Sequence, residues 1–170
     1  MGLVLIGKEE VRTVDEPPDE RPVREGKAER DVIYTSIRPG QVWLDTSGNR
    51  IQAHGGSIFH EDGVYYWYGE NKERTTGGND IWHWGVRCYR SRDLYNWEDL
   101  GLIVPPQPDD ESSPLHPAQL VDRPHIIRSR ETGKYVCWLK IVHHGSTQRS
   151  TILTADHFLG PYTIVRTDLC

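Results

Sequence analysis

The chain has 170 residues, which suffices for one ordinary domain or for part of a larger one. Its hydrophobic content is 36%, and six Trp and eight Tyr stand against two Phe, which favours strand-rich structure and polar-ligand contacts over a large apolar core. The net charge is −5, with no dense basic tract and no apolar run near the roughly 18 residues of a membrane span. We therefore expect neither nucleic acid nor a membrane as a partner.

The N-terminal residues do not form a legible export signal. The apolar part of MGLVLIGKEE is about six residues long, shorter than the h-region of a signal peptide, and lacks a basic start. Residues 8–31 are rich in Glu, Asp, Arg and Pro, which offer few apolar side chains to offset the entropy of ordering. We therefore predict a disordered charged arm over residues 1–34 and a folded part over residues 35–170.

The sequence predicts no cofactor and no metal site. The cysteines, Cys88, Cys137 and Cys170, show neither a zinc spacing nor an even disulfide framework, and we expect the first two to be buried free thiols. The adjacent His143 and His144 have no carboxylate or cysteine at ligand spacing.

From residue 37 onward, short β-type runs alternate with turn residues. A turn at Asp45–Asn49 precedes a hairpin whose strands, 57–60 and 64–68, are joined by Glu61-Asp62-Gly63. The remaining elements of this half are a loop, two strands and a proline-rich connector, predicted at residues 75–80, 85–91, 97–104 and 105–117.

The second half of the chain repeats the first. Its predicted strands and turns lie at residues 124–128, 131–133, 134–142, 150–156, 160–162 and 163–166. Gly133 follows Gly63 by 70 residues and Asp156 follows Asp93 by 63, a period typical of a four-stranded antiparallel blade with long loops. The sequence thus predicts an all-β fold with about two to two and a half β-propeller blades, and a two-layer sandwich is the alternative.

Two blades do not close a ring. Repeat units bury their faces on neighbouring units, so an open pair leaves strand edges and apolar faces uncovered. We expect either a longer gene product or self-association of the chain to cover them.

The segment from Gln52 to Glu70 combines four clustered aromatic residues with a terminal carboxylate in two short strands. Aromatic faces accept the apolar C–H patch of a sugar ring, and a carboxylate accepts its hydroxyl groups. Gln52 and His54 alternate with Ala53, which predicts that both side chains point to one side of a strand. The predicted partner is a carbohydrate, and the candidate contacts are Glu70, His54, Gln52, Trp84 and Tyr68.

Three of the candidate contacts also have a structural interpretation. The alternatives are a surface ion pair of Glu70 with Lys72 or Arg74, a core position for His54, and packing between blades for Trp82 or Trp84.

The residues from Trp43 to Gly56 (W-x-D-T-x-G-N-x-I-Q-A-H-G-G), followed by Y-Y-W-Y-G-E from Tyr65 to Glu70, resemble glycoside hydrolase family 43. The resemblance is to the subgroup that contains exo-β-1,3-galactanases. It continues through G-V-R-C-Y, S-x-D-L-Y-N-W, D-R-P and A-D…G-P-Y, at residues 85–89, 91–97, 122–124 and 155–162.

This resemblance implies a five-bladed β-propeller with its active site at one end of the central axis. Such enzymes typically invert, using a general acid Glu, a general base and a third carboxylate that tunes the acid. The resemblance gives Glu70 a hydroxyl-binding role and Asp122 the orienting and pKa-tuning role. The alternative for Asp122 is an acid at the start of a strand that forms a turn or an internal salt bridge. The chain departs from the pattern at two positions: His54 with Gly55-Gly56 stands where the wider family has an Asp, and Asp122 replaces the subgroup's usual Glu.

The resemblance supports one function and leaves a second open. The first is a glycoside hydrolase-like domain that acts on β-1,3-galactan or a related plant polysaccharide by inverting hydrolysis, with its general acid beyond Cys170. The second is a non-catalytic carbohydrate-binding propeller fragment, which a Glu in a third-blade strand would argue against. Family members are mostly extracellular, but the compartment of this chain stays open.

Overall fold

The computed structural model describes residues 33–142 and 148–169. Within these ranges the chain forms eight β-strands, and none of the described residues belongs to a helix long and apolar enough to span a bilayer. The strands are β1 (His54–Glu61), β2 (Val64–Glu70), β3 (Val86–Ser91), β4 (Glu98–Val104), β5 (Leu120–Arg128), β6 (Tyr135–Val142), β7 (Gln148–Ala155) and β8 (Thr163–Leu169).

The strands form two four-stranded antiparallel sheets, each in simple chain order. Sheet 1 contains β1 to β4 and sheet 2 contains β5 to β8, and they meet where β5 lies against β1 and β2. Two successive four-stranded meanders of this kind are propeller blades. The predicted all-β fold class and the repeat are therefore confirmed.

Tight turns close the first hairpin of each sheet. Asp62 and Gly63 join β1 to β2 with φ angles of 50° and 74°, the backbone that a two-residue type I′ turn requires. Gly133, with φ of 71°, lies in the turn between β5 and β6 and donates its N–H to the Ser129 carbonyl at 2.9 Å. Both predicted hairpins are present.

The main core lies between the two sheets. The rings of Phe59 and Phe158 stack with their centroids 4.7 Å apart, and Tyr68, which is 1% exposed, accepts the N–H of Ile126 on its hydroxyl oxygen at 2.8 Å. Cys88 and Cys137 are buried free thiols in the same core, as the sequence predicts. A smaller cluster, made of Ile51, Tyr89 and Trp97, fastens the residues before β1 to sheet 1.

Strand β5 is longer than predicted. Its predicted start is Pro124, whereas the strand begins at Leu120. The pairing with β6 shifts between Asp122 and His125, and Arg123 within this bulge has a φ of 52°. A bulge interrupts the regular ladder, so a proline is tolerated inside the strand.

Most of the predicted N-terminal arm, residues 1–32, and the His143–His144 pair lie outside the described residues. Tyr34 is attached to sheet 1, because its N–H donates to Asn96 Oδ1 at 2.7 Å and its carbonyl accepts from Asn96 Nδ2 at 2.9 Å. The boundary between residues 34 and 35 stays a prediction.

Candidate functional site

The two predicted carboxylates come together at one edge of the contact between the sheets. Glu70 is the last residue of β2 and pairs with His54, the first residue of β1. Asp122 lies near the start of β5, which packs on β1 and β2. Glu70 Oε1 accepts the backbone N–H of Arg123, the residue after Asp122, at 2.8 Å. The fold thus brings together residues that are 52 positions apart in sequence.

Glu70 is a buried carboxylate with a cationic partner. It is 5% exposed, and its Oε2 lies 3.2 Å from the ammonium of Lys72. Burial raises the pKa of the Glu70 carboxyl, the Arg123 N–H and the Lys72 charge oppose that rise, and the charge of Asp122 adds to it. Glu70 does form the ion pair with Lys72 that the alternative interpretation predicted, but the pair is not at the surface on the Glu70 side, because that carboxylate is buried.

Gly55 leaves the space that Glu70 occupies. Its φ is 55°, and a Cβ built there would lie 2.7 Å from Glu70 Oε1. Gly56 is still more confined, since a Cβ at that position would lie 1.7 Å from the Tyr68 carbonyl oxygen. Only glycine fits two such close approaches, which explains the Gly-Gly pair at the start of β1.

The bulge in β5 aims a backbone donor at Glu70. Arg123 has a left-handed backbone conformation, which is strained for a residue with a Cβ. Such a conformation persists where the surrounding structure enforces it. The result is an N–H that points at the Glu70 carboxylate rather than along the β5–β6 ladder. The Arg123 side chain itself is exposed.

Asp122 is partly accessible and has two donors. Its Oδ1 accepts the indole N–H of Trp82 at 3.2 Å, and its Oδ2 lies 3.4 Å from the ammonium of Lys140 on β6. The Asp122 side chain is 22% exposed, so it can also reach a ligand. The predicted alternative of an internal salt bridge is thus part of the actual environment of this carboxylate.

The loop between β2 and β3, here called the clamped loop, holds Trp82 beside Asp122. The N–H of Trp82 donates to the Pro117 carbonyl at 2.8 Å. The next residue, His83, is fully buried; its Nδ1 accepts the Gly85 N–H at 2.9 Å and its Nε2 lies 3.1 Å from the His116 carbonyl. Burial lowers the pKa of His83 to about 4, so the ring is neutral and Nε2–H donates to that carbonyl.

An open cavity of about 420 Å³ includes Arg123, the residue whose N–H donates to Glu70 and which follows Asp122; neither carboxylate is among its lining residues. It lies between the start of β1 and the bulge of β5, and its lining residues are Gly55, Gly56, Ser57, Arg123, Pro124 and His125. Hydroxyl, guanidinium and imidazole groups at its wall can donate to and accept from the hydroxyl groups of a sugar.

His54 lies in strand β1, whereas Gln52 lies before it. His54 begins β1 and is half-buried; burial, followed by the charges of Arg50 and Lys72, lowers its pKa. Gln52 precedes the strand, and its Oε1 accepts the N–H of Lys72 at 3.3 Å, while its own N–H donates to the Tyr89 hydroxyl. Gln52 therefore supports the loop that carries Lys72.

Trp84 and Tyr68 both pack against other side chains of the protein, Trp84 against Arg74 and Tyr68 against Phe158. The guanidinium of Arg74 lies 3.8 Å from the centre of the Trp84 ring. Tyr68 lies in the core between the sheets, and a side chain that is 1% exposed has no surface to offer a sugar. Its burial makes Tyr68 a core residue rather than the sugar contact expected from sequence.

Three features of the site escaped the sequence analysis: the cation of Lys140, the backbone donor of Arg123, and the link from Trp82 to Asp122. Lys140 lies on β6, whose other residues are mostly apolar and predict a core strand. Nothing in the local sequence indicates the left-handed backbone conformation of Arg123. Among the described residues, no group of three or more His, Cys, Asp or Glu could hold a metal ion.

No family model and no curated protein matches the chain, whereas solved structures do. A family 43 β-1,3-galactosidase with galactodeoxynojirimycin is 35% identical, with a TM-score of 0.67 over 77% of this chain and 38% of its own. The exo-β-1,3-galactanase of Clostridium thermocellum is 32% identical, with a TM-score of 0.64 over 78% of this chain and 27% of its own. That of Phanerochaete chrysosporium with galactose is 30% identical, with a TM-score of 0.66 over 76% and 29%.

These structures confirm the resemblance to glycoside hydrolase family 43 and to its exo-β-1,3-galactanases. The similarity extends over about three quarters of the chain and includes both blades. The chain in turn spans 27% to 38% of the length of these relatives.

Proposed function

Since this chain is a relative of the family 43 β-1,3-galactanases, we propose that its site binds a galactose unit of β-1,3-galactan. Glu70 and Asp122 would meet the hydroxyl groups of that sugar, and the chain would act as part of a galactan-hydrolysing propeller. The observation that carries the proposal is that Glu70 and Asp122, from two blades, converge at one edge of the contact between the sheets, where Arg123 links Glu70 to an open cavity.

The surroundings of each carboxylate favour binding and orientation of the sugar. Lys72 and Lys140 supply a positive charge to Glu70 and Asp122 respectively. Inverting hydrolysis needs a protonated acid and a water-activating base about 6.5–9.5 Å apart. Glu70 and Asp122 each accept a hydrogen bond from the protein and face a lysine, which suits them to hold and orient hydroxyl groups; we therefore assign hydroxyl binding to Glu70 and orientation of the sugar and tuning of the acid to Asp122.

The remaining candidates have supporting roles in the proposal. Trp82 is 38% exposed beside Asp122, which suits it for contact with the apolar face of the sugar. His54 flanks Glu70 at the first pair of β1 and β2, at the rim of the site. Gln52, Trp84 and Tyr68 hold the loop and the core in place.

A binding titration tests the proposal. Galactose and β-1,3-galactobiose are titrated into the chain and into Asp122→Asn and Glu70→Gln, with Glu98→Gln as the matched control because Glu98 pairs with Arg90 on the surface. We expect each site variant to weaken binding by about tenfold or more, since a hydrogen bond to a charged group is lost. Equal affinity in all four proteins would contradict the proposal.

Binding without hydrolysis is the second candidate, and the lysine partner of each carboxylate favours it for this chain alone. Galactose release from β-1,3-galactan separates the two functions. Release that disappears in Asp122→Ala supports the hydrolase, and binding without release supports the carbohydrate-binding module.

A further inference from the structure

Lys72 connects the two halves of the candidate site. Its ammonium lies 3.2 Å from Glu70 Oε2, donates to the Trp82 carbonyl at 2.8 Å and lies 3.8 Å from the centre of the Trp82 ring. The same indole donates its N–H to Asp122 at 3.2 Å. A continuous series of contacts therefore runs from Glu70 on sheet 1 to Asp122 on sheet 2.

The position of the Trp82 ring depends on these contacts. The ring lies in a loop and is 38% exposed, with the Lys72 charge over its face and Asp122 at its N–H. A cation over an indole face is attracted by the ring and fixes its orientation. The backbone of Lys72 is itself held, because its N–H donates to Gln52 Oε1.

We propose that Lys72 is a positioning residue that couples the charge of Glu70 to the orientation of Asp122. The ammonium balances Glu70 and clamps the Trp82 ring, and that ring in turn holds one oxygen of Asp122 and leaves the other directed at Lys140. The inference rests on the proposed function for its role in sugar binding, whereas the coupling of the groups can be measured without a sugar.

Other charges surround Glu70 and bear on the test. Glu70 itself interacts with Lys72 on the following loop and with Asp122 and the backbone of Arg123 on β5, and His54 on β1 pairs with it in register. His83 on the clamped loop and Lys140 on β6 face its neighbours Lys72 and Asp122. Of these, Lys72 makes the direct ion pair with Glu70. Its removal should therefore shift the Glu70 titration more than removal of a distant lysine.

Three variants isolate the charge from the side-chain stem. Lys72→Met keeps most of the length and packing on the indole but removes the charge, and Lys72→Arg keeps the charge. Lys134→Met is the matched control, because Lys134 pairs with Asp156 at 2.6 Å in an exposed part of sheet 2.

The first measurement needs no ligand. The Glu70 carboxyl is titrated by carbon NMR, and the Trp82 indole N–H resonance is followed in the same samples. In Lys72→Met we expect the titration midpoint to rise by about one pH unit or more and the indole resonance to shift. In Lys72→Arg the Glu70 midpoint should lie within a few tenths of a pH unit of the wild-type midpoint. In Lys134→Met neither the midpoint nor the indole resonance should differ from wild type. An unchanged Glu70 midpoint or an unchanged indole resonance in Lys72→Met would overturn the inference.

The second measurement connects the coupling to sugar binding. Galactobiose affinity should fall about tenfold or more in Lys72→Met and recover in Lys72→Arg. If no protein binds the sugar, the proposed function fails while the NMR result still decides the coupling. If the sugar binds equally to wild type and Lys72→Met, the positioning role is wrong although the proposed function stands.

Discussion

Glu70 shows how a single residue serves the site at the expense of stability. Its carboxylate is desolvated, which disfavours the charged form, and a backbone donor and a lysine offset that penalty. Its position at the end of an aromatic strand is visible in sequence, whereas its role in sugar binding stays a prediction. The left-handed backbone of Arg123 could not be predicted, since that conformation arises from the bulge and its contact with Glu70.

The raised pKa of Glu70 predicts a pH-dependent difference in stability. A folded-state pKa above the ordinary value of 4.5 means that stability falls as pH rises through the interval between the two values. The melting temperature of the wild type should therefore decline relative to Glu70→Gln as pH increases from about 4 to neutral. A difference for Glu70→Gln that is constant across this range would contradict the assignment.

The loop between β2 and β3 is the element that sequence predicts least well. Its flexible-loop prediction rested on the residues Thr75–Asp80, and it missed the clamp further along. His83 fixes the loop to the connector before β5 through the hydrogen bond of its Nε2 to the His116 carbonyl, 33 positions away in sequence, while its Nδ1 accepts the N–H of Gly85 within the loop. By contrast the two hairpins could be predicted, because turn residues and alternating strands are local signals.

Acid should release this clamp. The pKa of His83 falls from 6.5 to about 4 in the folded protein, so the unfolded chain gains a proton first and stability is lost as pH falls between these values. The full effect corresponds to about 3 kcal/mol. His83→Asn retains an acceptor for the Gly85 N–H but cannot be protonated, so its free energy of unfolding should fall less between pH 6.5 and 4. Urea unfolding of the wild type and of His83→Asn at both pH values measures this. Equal losses of unfolding free energy in the two proteins would contradict the role of His83 protonation.

At the scale of the whole molecule, the repeat period predicted two blades and the structure confirms them. The packing between the blades could not be read from the period, because it depends on which aromatic faces meet. Phe158, from the loop before β8, lies against Phe59, Tyr66, Tyr68 and Tyr135 of both sheets. Ile127 and Trp138 of sheet 2 are 46% and 41% exposed, and self-association through such surfaces stays a prediction.

Phe158 should be the residue on which the contact between the blades depends most. It is 5% exposed, so Phe158→Ala should lower the free energy of unfolding by about 3–5 kcal/mol through lost contacts and a cavity. Leu159→Ala, at a neighbouring position that is 45% exposed, should cost less than about 1 kcal/mol. Chemical denaturation measures both, and similar losses would show that the sheets are held together elsewhere.

The most direct test of the sugar site is an NMR titration of the nitrogen-labelled chain with galactose. We expect the indole N–H of Trp82 and the backbone N–H of Arg123 to shift with one common binding curve, because they donate to Asp122 and Glu70 respectively. The N–H groups of the exposed turn at Gly133 should not move. A galactose-dependent shift that leaves Trp82 and Arg123 unchanged, or the absence of any shift, would contradict a galactose site at these carboxylates.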